Sequence, residues 1–167
     1  MKTEFLLTLA EIAVALAGFA GLIVAISGRR GGSADEARLN LQLLKNVLGA
    51  SFMAAGFALL PVALLSMAID SQTAWRGSAG LLAVGLPLYM FQTVFPALAS
   101  YRALGRSVPL SYRANIALGL VFAGALGLSA GGLMPSSTYL PAVSFLVYGA
   151  AVSFVRVFVS VARDAAV

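Results

Sequence analysis

The sequence predicts an all-α integral membrane bundle of five transmembrane helices, with the N-terminus outside and the C-terminus in the cytoplasm. Three observations support this prediction: 60% of the residues are hydrophobic and only 10% are charged, five apolar stretches follow one another, and basic residues cluster at one end of those stretches. A soluble domain carries about 25% charged residues, so many of these apolar side chains are expected to face lipid. The 167 residues fit a single transmembrane domain.

The five apolar stretches are each long enough to cross a bilayer, which takes about 20 residues in a helix. Pro135 to Thr138 separate the last two, and this turn-forming composition predicts a tight hairpin. A capping-box pattern from Ser33 to Glu36 predicts a cytoplasmic helical extension over 34–40 before the second span. The first stretch contains Glu11 and is longer than a signal-peptide core, so we interpret it as a retained anchor. The predicted spans are 5–27, 41–69, 78–101, 114–134 and 139–162.

The orientation follows from the lysines and arginines, which concentrate in cytoplasmic loops. Three regions are rich in basic residues: the first loop, the third loop and the C-terminal end. With five spans all three fall on one side, and the opposite side has only Lys2 and Arg76. Abundant Ala and Gly, with Arg exceeding Lys, suggest a bacterial origin and hence the bacterial cytoplasmic membrane. Two aromatic pairs are predicted to mark the interfaces: Trp75 with Tyr139 outside, and Tyr101 with Tyr112 inside.

Small residues are predicted to form the helix-packing faces, because helices in a membrane associate where their backbones approach closely. Two interpretations stay open: packing within one chain, or contact with a second copy or another membrane protein. The predicted packing residues are Gly18, Gly21, Gly119, Ala123, Gly127 and Gly131.

Glu11 is the candidate ion or proton site, because a carboxyl group within a membrane span is costly and suggests a function. Matching depths along the spans places Ser66, Ser129 and Ser144 at about its level. The alternative is a structural carboxyl group that bonds to backbone or hydroxyl groups.

A polar core is predicted to run from Glu11 through Gln92, near mid-membrane, to Asn46, Ser153 and Arg156 on the cytoplasmic side. Amide side chains in a span usually bond to another helix. For Arg156 the alternative is that its long side chain reaches the interface.

The amino-acid composition argues against several kinds of site and function. The chain has no His and no Cys, so we expect no disulfide, no metal site and no cofactor. No catalytic motif is present, and we therefore expect no enzyme. The net charge is +5, and the basic residues flank apolar spans. This placement indicates the lipid bilayer, not nucleic acid, as the partner. Arg29, Arg30 and Arg38 are candidates for binding anionic lipid, or serve orientation alone.

Two functional classes follow. The first is a proton or cation conduit, or a transporter-like protein, that uses Glu11. The second is a non-catalytic accessory or assembly protein that binds other membrane proteins through its Gly and Ala faces.

Overall fold

The computed structural model describes residues 2–27, 34–103, 105 and 107–165. Five helical segments there are long and apolar enough to cross a membrane, and no strand occurs among these residues, which confirms the all-α class with five candidate spans. The helices are α1 (Lys2–Ser27), α2 (Ala34–Ser66), α3 (Ser71–Tyr89), α4 (Phe95–Ala103), α5 (Leu110–Ala130) and α6 (Tyr139–Ala165).

The third span consists of α3 and α4, joined by a π-helical turn over Met90–Val94. Pro96 explains where this π-helical turn lies. Because Pro96 has no N–H, the carbonyl of Gln92, four residues earlier, cannot accept the usual α-helical hydrogen bond. The Phe95 N–H bonds instead to the carbonyl of Met90, five residues earlier. Pro61 and Pro87 lie inside α2 and α3, which continue through them.

The packing is organised around α2, which contacts both α1 and α6; α1 and α6 also contact each other, and α5 packs mainly on α3. Small side chains such as Ala13, Ala54 and Ala142 are fully buried, and they permit this close approach. The larger core cluster unites all five spans; a smaller one lies at the opposite end, around Ala20 and Val47.

Two short connections, between α2 and α3 and between α5 and α6, lie at the end of the bundle that carries the larger cluster. Asp70 caps α3, because its carboxylate accepts a 2.9 Å hydrogen bond from the Thr73 N–H. Between α5 and α6, Gly132 has a φ of +79°, and a Cβ there would lie 2.8 Å from the Arg76 guanidinium group. The positive φ favours glycine at this position, whereas the flexible Arg76 side chain could move away from a Cβ.

Three of the four aromatic residues predicted at the interfaces point into the bundle. Trp75 is 8% exposed and Tyr139 is fully buried, and their rings pack edge to face with centroids 5.7 Å apart. The Tyr139 hydroxyl donates to the Phe57 carbonyl. Tyr112 is also buried, at 5% exposure. These rings point inward because each finds packing partners, and two of their hydroxyl groups find hydrogen-bond partners, inside the bundle.

Candidate functional site

A pocket lies in the half of the bundle near the ends of α4 and α6, and we call it the Asn46 pocket. It has a cavity volume of about 60 Å³ and is partly open to the outside. The helices α2, α3, α5 and α6 and the π-helical turn all contribute to its walls. Its lining residues are Asn46, Ala50, Leu86, Tyr89, Met90, Val94, Tyr112, Asn115, Ile116, Phe145, Leu146, Gly149 and Ser153.

Tyr112 is the central residue of the polar end of this pocket. Its hydroxyl accepts a short hydrogen bond from the Asn46 side-chain amide. The Arg156 guanidinium carbon lies 5.1 Å from the centre of the Tyr112 ring, within the range of a cation–π contact. The Tyr101 ring packs beside it, with centroids 6.1 Å apart. Tyr112 therefore links α2, α4, α5 and α6 at one point.

Asn46 is the most constrained polar residue in the pocket, with 2% of its surface exposed. Its amide nitrogen donates to Tyr112, and its backbone carbonyl accepts a 2.9 Å bond from the Tyr89 hydroxyl. Its side-chain oxygen has no hydrogen-bond partner among the described residues. A buried acceptor without a donor costs about 1–3 kcal/mol. The pocket thus presents an acceptor that a donor group from a ligand would satisfy.

Arg156, which contacts the Tyr112 ring, is the charged group next to this end of the pocket, and no carboxylate is among the described residues that line it. Lys45, the neighbour of Asn46, is exposed on the outer side of α2. A neutral or anionic group therefore suits this end of the pocket. The opposite wall is apolar and includes Leu86, Met90 and Phe145.

Three residues of the predicted polar core lie at the pocket. Asn46 and Ser153 line the pocket, and Arg156 reaches it through the Tyr112 ring. Gln92 is exposed on the π-helical turn and is not among the lining residues.

Sequence reasoning missed three polar lining residues, Tyr89, Tyr112 and Asn115. A signal was available, because Tyr112 and Asn115 are three residues apart, as are Ser153 and Arg156. This spacing places each pair on one face of its helix.

The candidate ion site around Glu11 is dispersed. Glu11 is exposed on α1, and no hydrogen bond joins it to the three serines among the described residues. The hydroxyl of Ser66 bonds to the Ala63 carbonyl at 2.7 Å, and that of Ser129 to the Pro135 carbonyl at 3.3 Å. Ser144 is half-buried on α6, while α5, which carries Ser129, packs mainly on α3 and not on α1.

The predicted small-residue face divides into packed and open positions. Gly119 is buried, and a Cβ there would lie 2.9 Å from the Met90 sulfur; Ala123 packs half-buried against the core. A Cβ would have nothing within 4 Å at three open positions, Gly18, Gly21 and Gly127. At Gly131 a Cβ would contact only the carbonyl groups of its own helix.

The predicted lipid-binding arginines Arg29 and Arg30 lie outside the described residues, as does the side chain of Arg38. The described residues contain no group of three or more His, Cys, Asp or Glu side chains that would hold a metal ion.

Comparison with known protein families, with curated proteins and with solved structures finds no match for this chain. The site is therefore interpreted from its own chemistry.

Proposed function

We propose that this chain is a non-catalytic multi-pass protein of the bacterial cytoplasmic membrane that binds an amphiphilic molecule in the Asn46 pocket. Five helices are long and apolar enough to span a membrane. The basic residues favour an N-terminus outside and a C-terminus inside, since Arg102, Arg113 and Arg156 all belong to one end of the bundle. In that orientation the pocket lies in the cytoplasmic half.

The observation that carries the proposal is the unpartnered side-chain oxygen of Asn46, which lines a pocket while 2% exposed. Buried polar groups are almost always satisfied, so an exception next to a cavity indicates a missing donor. A hydroxyl or amide group of a ligand would supply that donor. Its apolar part would contact Leu86, Met90 and Phe145.

Access from the bilayer is supported by the packing of the two helices that flank the pocket. α5 packs mainly on α3, and α6 packs on α2 and α1, so the backbones of α5 and α6 contact each other lightly, although the rings of Phe122 and Phe145 pack between them with centroids 5.2 Å apart. Their facing surfaces carry Ile116 on α5 and Gly149 on α6, both lining the pocket. A ligand dissolved in the lipid would enter sideways between these helices. Binding without chemistry fits the lining, which offers amide and hydroxyl groups and no carboxylate.

The experiment compares molecules that co-purify with the wild-type chain and with two matched variants. Asn46→Leu removes the buried amide, and Gln92→Leu removes an exposed amide. Mass spectrometry of extracts should find one amphiphile with wild type and Gln92→Leu, but not with Asn46→Leu. The proposal is wrong if Asn46→Leu, shown by circular dichroism and a monodisperse elution profile to be folded, retains that molecule, or if nothing co-purifies with wild type.

A second candidate function, assembly with another membrane protein or a second copy, is favoured by the exposed face of α1. Glu11, Ala15 and Gly18 follow one another at four and three residues on that face, and all three are exposed. Glu11 lies near the middle of the Thr3–Ile23 span. A carboxyl group facing lipid at that depth is expensive, so covering this face with protein would stabilise the chain.

A proton or cation conduit remains a hypothesis that requires such an assembly. Because Glu11 lies on the outside of the bundle, a path past it needs a neighbouring chain as its second wall. Gly18→Leu should block close approach and abolish cross-linking between chains, whereas Gly56→Leu, at an open position on α2, should leave it unchanged. Liposome flux that disappears in Glu11→Gln, with cross-linking intact, would support the conduit.

A further inference from the structure

A second cavity, which we call the α4–α5 groove, lies where the third span returns into α5. It has a volume of about 480 Å³ and is open to the outside. Leu98, Arg102, Ser107, Val108, Arg113 and Ile116 line it. Two guanidinium groups therefore share one cavity whose other walls are mainly apolar.

The positions of the two arginines concentrate positive charge at this point. Arg102 belongs to the last turn of α4, and Arg113 to the beginning of α5. No carboxylate is among the described residues that line the groove. The first turn of α5 adds to the effect, because Pro109 precedes it and provides no side-chain cap. The helix dipole gives this N-terminus a partial positive charge, although the Tyr112 N–H is bonded to the Pro109 carbonyl. Like charges held together in this way favour an anion between them.

The apolar part of the groove identifies the kind of anion. Leu98, Val108 and Ile116 offer nothing to a free phosphate ion, but they suit an acyl chain. We propose that the α4–α5 groove binds an anionic phospholipid, with its headgroup phosphate between Arg102 and Arg113 and an acyl chain along Leu98 and Ile116. The guanidinium fork matches phosphate oxygens in geometry and in charge.

This site is independent of the Asn46 pocket, although Ile116 lines both cavities. Tyr112 and Arg113 are adjacent in sequence, so their side chains leave α5 about 100° apart. Tyr112 lines the Asn46 pocket, and Arg113 lines the groove. Loss of lipid binding in the groove would leave the proposed function standing, and the reverse also holds.

The test measures lipid retained by the full chain in an equimolar mixture of phosphatidylglycerol and phosphatidylcholine, by native mass spectrometry. Wild type should enrich phosphatidylglycerol. Arg102→Gln and Arg113→Gln should each reduce that enrichment roughly fivefold, since a basic residue near the headgroups contributes about that factor. Lys45→Gln, which removes an exposed charge from the same half of the bundle, is the matched control and should retain it.

Three results would overturn the proposal. The first is wild-type enrichment in folded Arg102→Gln and Arg113→Gln. The second is an equal loss in Lys45→Gln, which would assign the effect to surface charge in general. The third is stabilisation of wild type by inorganic phosphate in phosphatidylcholine nanodiscs, lost in the arginine variants, without phosphatidylglycerol enrichment. Asn46→Leu should keep the enrichment, which separates this test from that of the pocket.

Discussion

The side chain of Asn46 on α2 donates a hydrogen bond to the hydroxyl of Tyr112 on α5, across 66 residues of sequence. Backbone packing alone does not bring these helices together, since α2 packs on α1 and α6 while α5 packs on α3. The bond therefore closes the polar end of the Asn46 pocket, and it holds the Tyr112 ring against Arg156.

Tyr112→Phe should destabilise the protein by about 1 kcal/mol, because it removes the acceptor of a buried amide and little else. Equilibrium unfolding in mixed micelles of a mild detergent and dodecyl sulfate would measure the difference. Tyr148→Phe provides the control, because Tyr148 is on α6 and 56% exposed. Equal stability of the two variants would show that the Asn46–Tyr112 bond contributes nothing.

Gly49→Ala should destabilise the protein, although alanine favours a helix more than glycine does. A Cβ at position 49 would lie 2.8 Å from the Tyr89 ring, so the ring must move and strain its bond to the Asn46 carbonyl. Overpacking of this kind costs about 1–3 kcal/mol, more than the roughly 0.5–1 kcal/mol gained in helix propensity. Thermal unfolding in detergent would measure the change.

Gly56→Ala is the matched control for that substitution. It lies two turns further along α2, and a Cβ there has nothing within 4 Å. Only the propensity gain applies, so this variant should equal or exceed wild type in stability. If Gly49→Ala proved at least as stable as Gly56→Ala, the close contact with Tyr89 would not be a constraint.

The sequence was sufficient for the all-helical class and the five candidate spans, because span length and apolar content are local properties. Each of the five candidate spans is a continuous, mostly apolar stretch of about 20 residues or more. The direction in which an aromatic side chain points is different, since it depends on the neighbouring helices. Trp75 and Tyr139 satisfy the pattern of interfacial residues, yet they bury against each other. A single helix carries no information about such a partner.

The candidate site was predictable only in part for the same reason. Asn46 and Ser153 stand out as polar residues in apolar spans, and both line the pocket. Gln92 stands out equally but is exposed, since it follows the buried Met90 by two residues and so lies about 200° around the helix from it. Which face of this span is buried depends on the neighbouring helices, which the sequence of one helix does not show.

Asp70 should make the stability of the bundle sensitive to acid. Its hydrogen bonds from Thr73 lower the pKa of the carboxyl group from 3.8. A lowered pKa in the folded state means that the contribution is present above pH 3.8 and is lost as the pH falls through the folded-state pKa. Asp70→Asn keeps the cap without the charge. The advantage of wild type over Asp70→Asn, measured by thermal unfolding, should therefore shrink below pH 3.8.

The same pair of proteins controls for every other carboxyl group, since those titrate alike in both. An advantage that stayed constant on acidification would show that the cap does not depend on the ionised carboxylate. Asp70→Ala should be less stable than Asp70→Asn at all pH values, because it removes the acceptor for the Thr73 N–H.

The proposed orientation predicts opposite labelling of two exposed serines. Ser71 begins α3, and Ser107 lies between α4 and α5, so the third span separates them. The chain has no cysteine, and every signal from an introduced thiol is therefore unambiguous. In intact cells, Ser71→Cys should react with a membrane-impermeant maleimide, and Ser107→Cys should react only after permeabilisation. The reverse pattern would place Arg102 and Arg113 outside, against the charge rule, and would move the Asn46 pocket and the α4–α5 groove to the outer leaflet.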